Sequence, residues 1–155
     1  MKQSITKILI LVVSIILINA CKSGNTSSET GIVLEGSWIR LVPSSSTVTG
    51  GYVKITNHDK DDRLISASAN ISKVVELHYM IEENGVMKMR KFESGIEIPS
   101  HKTVTLQPGG NHIMFIDLVR PLVDGEQVLV SLEFEKAGKK ELSFTVKDAQ
   151  AMPMH

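Results

Sequence analysis

The chain has 155 residues, with 17 Lys and Arg against 17 Asp and Glu, 42% hydrophobic residues and a single cysteine. That length suits one domain with a core of its own. The balanced charge argues against a nucleic-acid partner, because phosphate binding needs a basic surplus. One cysteine excludes an intramolecular disulfide framework and a thiolate-rich zinc site.

Residues 1–20 read as an export signal. Lys2 and Lys7 give a positive start, and 8–18 is apolar apart from Ser14, shorter than the roughly 20 residues of a membrane span. The segment ends Leu17-Ile18-Asn19-Ala20-Cys21, which resembles a bacterial lipobox and predicts cleavage before Cys21 and lipidation of its sulfur. The plainer alternative is an ordinary signal peptide with an incidental cysteine. Cleavage removes two lysines and no acid, leaving a slight acidic excess and no free thiol. The expected product is exported and lipid-anchored to a bacterial membrane, facing the periplasm or the cell exterior. Residues 21–31 then form the lipidated cysteine and a small, polar tether with nothing to bury.

From 32 to 147 the pattern is that of an all-β domain. Short runs rich in β-formers recur at 32–41, 51–57, 64–69, 74–82, 86–92, 104–106, 112–118, 127–134 and 141–146, separated by turn chemistry such as ENG, QPGGN and VDGE. Nine strands at this spacing predict a β-sandwich of Greek-key type. Asn70-Ile71-Ser72-Lys73 is expected to form a short helical turn. Residues 148–155 are a tail.

One hairpin can be placed in register. Asn84-Gly85 suits a two-residue type I′ loop, because both residues tolerate positive φ. Met80 then lies opposite Met89, Glu82 opposite Met87 and His78 opposite Lys91. Alternation with period two puts His78, Met80, Met87 and Met89 on one face, with His78 and Met89 as diagonal neighbours.

Three pairs at i, i+2 spacing stand out: His78-x-Met80, Met87-x-Met89 and His112-x-Met114. Singly, such a pair is usually core packing or solvated surface. Three together in a thiol-free exported domain point to a metal. Thioether sulfur is soft and suits Cu(I), whereas Zn(II), Ca(II) and Mg(II) favour harder or charged donors. His58 and His101 fall in turns without a methionine partner and read as solvated. The tail adds Met152, Met154 and His155, read either as an auxiliary copper-capturing arm or as a plain terminus.

The pattern of His78, Met89, His112 and Met114 resembles the signature of the periplasmic copper chaperones called PCu(A)C. Trp38, GGYVKITN at 50–57, VELH at 75–78, LQPGGNHIMFIDL at 106–118 and PLVDGEQVLVSLEFEKAG at 121–138 extend the resemblance over most of 32–147. It implies a cupredoxin-like sandwich that binds Cu(I) through those four side chains. Met80 and Met87 lie on the same face outside that set and read as auxiliary donors on the ion's way in and out, with plain surface packing as the alternative. It also implies a copper-accepting partner, such as subunit II of cytochrome c oxidase with its CuA centre, or another copper chaperone. Copper buffering without a dedicated recipient, and a metal-free interaction module, are the alternatives. No nucleophile–base or paired-carboxylate arrangement suggests an enzyme.

Overall fold

The computed structural model describes residues 31–148. Ten strands fill this span: β1 (Ile32–Arg40), β2 (Val48–Asn57), β3 (Asp62–Ala69), β4 (Ser72–Glu83), β5 (Val86–Lys91), β6 (Ile96–Ile98), β7 (Thr103–Leu106), β8 (His112–Leu118), β9 (Gln127–Phe134) and β10 (Gly138–Lys147). Among the described residues there is no helix. The all-β expectation holds.

Hydrogen bonding orders the strands β5-β4-β8-β2-β1-β10-β9-β3-β6, with β7 also paired to β2. The first half of β2 pairs with β8 and its second half with β7. The first and last strands lie side by side and run parallel, Trp38 beside Thr145. The two arms of this ladder fold over one core. Leu77, Ile113 and Phe115 from β4 and β8 meet Leu64, Val130, Leu132, Phe134, Phe144 and Val146 from β3, β9 and β10 in a single apolar cluster. Along β9 the buried residues alternate with more exposed ones, as a strand covered on one face requires.

Two sequence expectations need correction. Asn70-Ile71 is a two-residue turn and Ser72-Lys73 already belongs to β4, so there is no helical turn. Ile71 is fully buried and its carbonyl accepts the Val119 N–H at 3.0 Å, which pins this passage from one arm to the other. The nine expected strands are ten, because Ile96–Ile98 pairs with β3.

A bulge in β1 decides what faces the outside. Glu35 pairs with Lys54 but Trp38 pairs with Tyr52, so β1 carries one residue more than β2 between these points. Gly36 takes up the kink at φ 61°, a left-handed conformation that glycine tolerates without a steric penalty. Before the bulge Leu34 faces the core opposite Ile55; after it Ile39 does so opposite Gly51. Trp38 and Arg40 are thereby turned to the outer face.

Asp62 ties β3 to the β9–β10 turn. Its Oδ1 accepts the backbone N–H of Arg63 (2.7 Å) and Lys136 (2.9 Å), and its Oδ2 accepts that of Ala137 (2.9 Å). Burial pushes its carboxyl up, but the three N–H donors and Lys136 outweigh it and hold the group below the usual aspartate value. Asp62→Ala strands these donors and is expected to cost about 2–3 kcal/mol of stability in urea unfolding, with Asp62→Asn intermediate. Because the folded carboxyl is the stronger acid, this contribution is full above the unfolded aspartate value and is lost as pH falls through the folded one.

Candidate metal centre

The register foreseen for the hairpin is the one observed: His78 pairs with Lys91, Met80 with Met89 and Glu82 with Met87. Asn84 and Gly85 have φ of 55° and 76°, as a type I′ loop requires. On its other side β4 pairs with β8, which places His78 opposite His112 and Glu76 opposite Met114. On the far side of β8, Met114 lies opposite Gly50 of β2. His78, Met89, His112 and Met114 therefore share one outer face across three adjacent strands. The two imidazole centroids are 5.8 Å apart.

A cavity of about 200 Å³ opens here, lined among others by Arg40, Gly50, Tyr52, Met89, His112 and Met114. Gly50 leaves space beside Met114, since a Cβ there would come within 2.6 Å of the Tyr52 hydroxyl. Tyr52 in turn packs against Trp38, with centroids 4.4 Å apart and the rings tilted by 41°, and lies under the Arg40 guanidinium at 5.8 Å. The β1 bulge thus brings Arg40 to the cavity and Trp38 against the Tyr52 ring that lines it. A larger cavity, about 410 Å³, lies by Asp62, Glu97 and Lys136; there the Asp62 carboxylate is already committed to three backbone donors.

Each histidine has one ring nitrogen engaged. His112 is 5% exposed, and its Nδ1–H donates to the Gly110 carbonyl at 2.9 Å. A carbonyl only accepts, so this bond fixes the tautomer and leaves Nε2 with a lone pair. Burial, with the nearby His78 and Arg40, lowers the His112 pKa against the opposing Gly110 bond, which favours the neutral, ligating ring. His78 donates Nε2–H to Glu76 Oε2 at 2.8 Å, and Glu76 Oε1 accepts from Lys91 Nζ at 2.8 Å. Nδ1 of His78 is buried and, among the described residues, has no hydrogen-bond partner. Two imidazole lone pairs beside two thioethers make a neutral, soft donor set. Among the described residues no three His, Cys, Asp or Glu side chains gather as a metal cluster, so a centre on this face must draw on methionine sulfur.

Met80 occupies the same face directly opposite Met89, and Met87, 53% exposed, lies farther toward the hairpin tip. His101 lies in an exposed turn with φ 53°, and His58 is exposed in another. Cys21, Met152, Met154 and His155 lie outside the described residues. Sequence reasoning passed over Glu76, Arg40 and Tyr52. For Glu76 a signal was present, the same i, i+2 spacing to His78 that singled out the methionines.

The family model described as "Putative lipoprotein LpqE-like" matches residues 32–146. A protein described as putative lipoprotein Lxx21020, from Leifsonia xyli subsp. xyli (strain CTCB07), is 30% identical over 118 residues, which is 76% of this chain and 70% of the relative. The copper-bound PCuAC domain from PmoF2 superposes with a TM-score of 0.65 at 27% identity, covering 77% of this chain and 96% of that domain. The Cu(I) form of DR1885 from Deinococcus radiodurans does so with 0.60 at 30% identity, covering 84% and 86%. The chain belongs to the LpqE-like family, and these likenesses bear out the resemblance to the PCu(A)C proteins.

Proposed function

We propose that this protein is an exported, lipid-anchored copper chaperone, not an enzyme, which carries Cu(I) on His78, Met89, His112 and Met114. The observation that carries this reading is the His78–His112 cross-strand pair. Each ring has one nitrogen engaged and the other left for a ligand, with Met89 and Met114 on the same face. Two solved structures of the same fold are described as copper-bound and as the Cu(I) form. The relative described as a lipoprotein supports acylation at Cys21, with 22–31 as the tether.

The site is graded in a way that suits transfer. Met89 is 43% exposed whereas His112 is 5% exposed. A partner's ligand can approach the ion on the thioether side while the buried imidazole still holds it. Neutral donors bind Cu(I) less strongly than thiolates, so the ion moves downhill to a thiolate-containing acceptor. The CuA site of cytochrome c oxidase subunit II, or another copper chaperone, is such an acceptor. Met80 and Met87 extend the thioether row toward the hairpin tip and provide a way in and out for the ion. Met152, Met154 and His155 are auxiliary donors.

The test is Cu(I) titration of the detergent-solubilised chain against a chromophoric chelator. One tightly held ion per chain is expected, and it is lost in the His112→Ala, Met114→Ala double variant. No binding, or binding indifferent to that variant, would return the domain to a metal-free interaction module.

A further inference from the structure

His78 can offer a metal either ring nitrogen, and the structure shows what makes the choice. Glu76, His78 and Lys91 occupy one face of the β4–β5 ladder, Lys91 directly opposite His78 and Glu76 two residues before it. Glu76 spans the other two, with Oε2 2.8 Å from His78 Nε2 and Oε1 2.8 Å from Lys91 Nζ. The His78 side chain is 13% exposed and that of Glu76 24%, against 49% for Lys91. The carboxylate–imidazole half of this chain is thus the shielded half. An exposed Lys–Glu pair alone is worth little. Its geometric effect is to hold the carboxylate from behind while the front oxygen takes the ring N–H.

Resting on the ligand set proposed above, we infer that Glu76 is the positioning residue of the site. It holds His78 in the Nε2–H tautomer, so that Nδ1 is the donor to the metal. A carboxylate can only accept, so it fixes tautomer and ring orientation together. His112 is held the opposite way, through Nδ1–H to the Gly110 carbonyl, and presents Nε2. The pair is a mixed Nδ1/Nε2 set, one ring oriented by a side chain and the other by the backbone. The buried, unpartnered Nδ1 of His78 has a physical explanation on this reading, since buried polar atoms are otherwise almost always paired. The carboxylate also places a negative charge against His78, beside a ligand set that is otherwise neutral.

The test compares wild type, Glu76→Gln, Glu76→Leu and Glu76→Asp in the full chain purified in detergent. The His78 ring tautomer is read in the metal-free protein by 15N–1H correlation of the imidazole at pH 8, and Cu(I) affinity by chelator competition. Wild type and Glu76→Gln, which keeps an acceptor oxygen, should both show Nε2–H. Glu76→Leu should lose the downfield, slowly exchanging Nε2–H resonance that the carboxylate bond gives and bind Cu(I) about 10–100-fold more weakly. Glu76→Asp, one methylene too short, should behave like Glu76→Leu, and it serves if the leucine variant does not fold. A variant without the reach that keeps Nε2–H and wild-type affinity would overturn the assignment. Failure of the wild type itself to bind Cu(I) would instead overturn the copper reading, while the tautomer comparison would still decide what orients His78.

Discussion

His112→Ala is expected to weaken Cu(I) binding by at least ~100-fold, since even groups that only orient a ligating histidine are worth about 10–100-fold. The imidazole is buried, fixed by Gly110 and directly opposite His78, so no neighbouring side chain can take its place without moving β8. Chelator competition with His101→Ala as the control separates loss of a ligand from a general loss of histidine. That exposed turn residue should leave the affinity unchanged. Wild-type affinity in His112→Ala would remove it from the site.

The same residue gives the metal-free protein a pH signature with a definite sign. Burial lowers the folded-state pKa of His112 below its ordinary value of 6.5, His78 and Arg40 adding to the effect and the Gly110 bond opposing it. Above 6.5 the ring is neutral in both folded and unfolded chains, and its contribution to stability is fully present. Below that value the unfolded chain takes up the proton first, so the contribution is lost as pH falls through the folded-state value. The stability of wild type minus that of His112→Gln should be flat above pH 6.5 and should fall on the acid side. Denaturant unfolding of both proteins across this range checks it, and a difference that grows toward acid pH would contradict the direction.

What could be read from the sequence was local. Asn84-Gly85 fixes its hairpin because the loop type dictates the register, and register dictates which side chains share a face. The pairing of β4 with β8 joins segments more than thirty positions apart. No short-range pattern encodes it, so the convergence of His78 and His112 came only through the resemblance. The strand Ile96–Ile98 was missed because three residues between Gly95 and Pro99 are too few to show alternation. The sequence places the start of β2 at Gly51 and the structure at Val48, because paired glycines carry no β-forming signal of their own. Here the glycines serve close packing inside a strand. The bulge at Gly36 is not foreseen either, and with it the reason that Arg40 reaches the site and Trp38 backs Tyr52; an isolated glycine inside a strand is the available signal.

Those two glycines give the second large effect, and they should separate stability from binding. A Cβ on Gly51 would lie 2.6 Å from Cε2 and 3.3 Å from Cζ of Phe115, a ring with no exposed surface. That ring is enclosed in the core shared by both arms of the sandwich and has nowhere to retreat. Gly51→Ala is therefore expected to cost about 1–3 kcal/mol, as overpacking of a filled core does. Its strand neighbours are Ile39 and Ile113, and its side faces away from the histidines, so Cu(I) affinity should change little while the chain stays folded. At Gly50 the added Cβ meets the far end of a side chain, the Tyr52 hydroxyl at 2.6 Å. The phenol can swing aside, which disturbs its contact with Trp38 and the wall it gives the cavity beside His112 and Met114. Gly50→Ala should cost less stability than Gly51→Ala yet lower Cu(I) affinity and alter the fluorescence of Trp38, the single tryptophan. Urea unfolding, chelator competition and emission spectra on the two variants form one experiment. If Gly50→Ala instead proved the less stable and bound Cu(I) as wild type does, Tyr52 would not be a wall of the site.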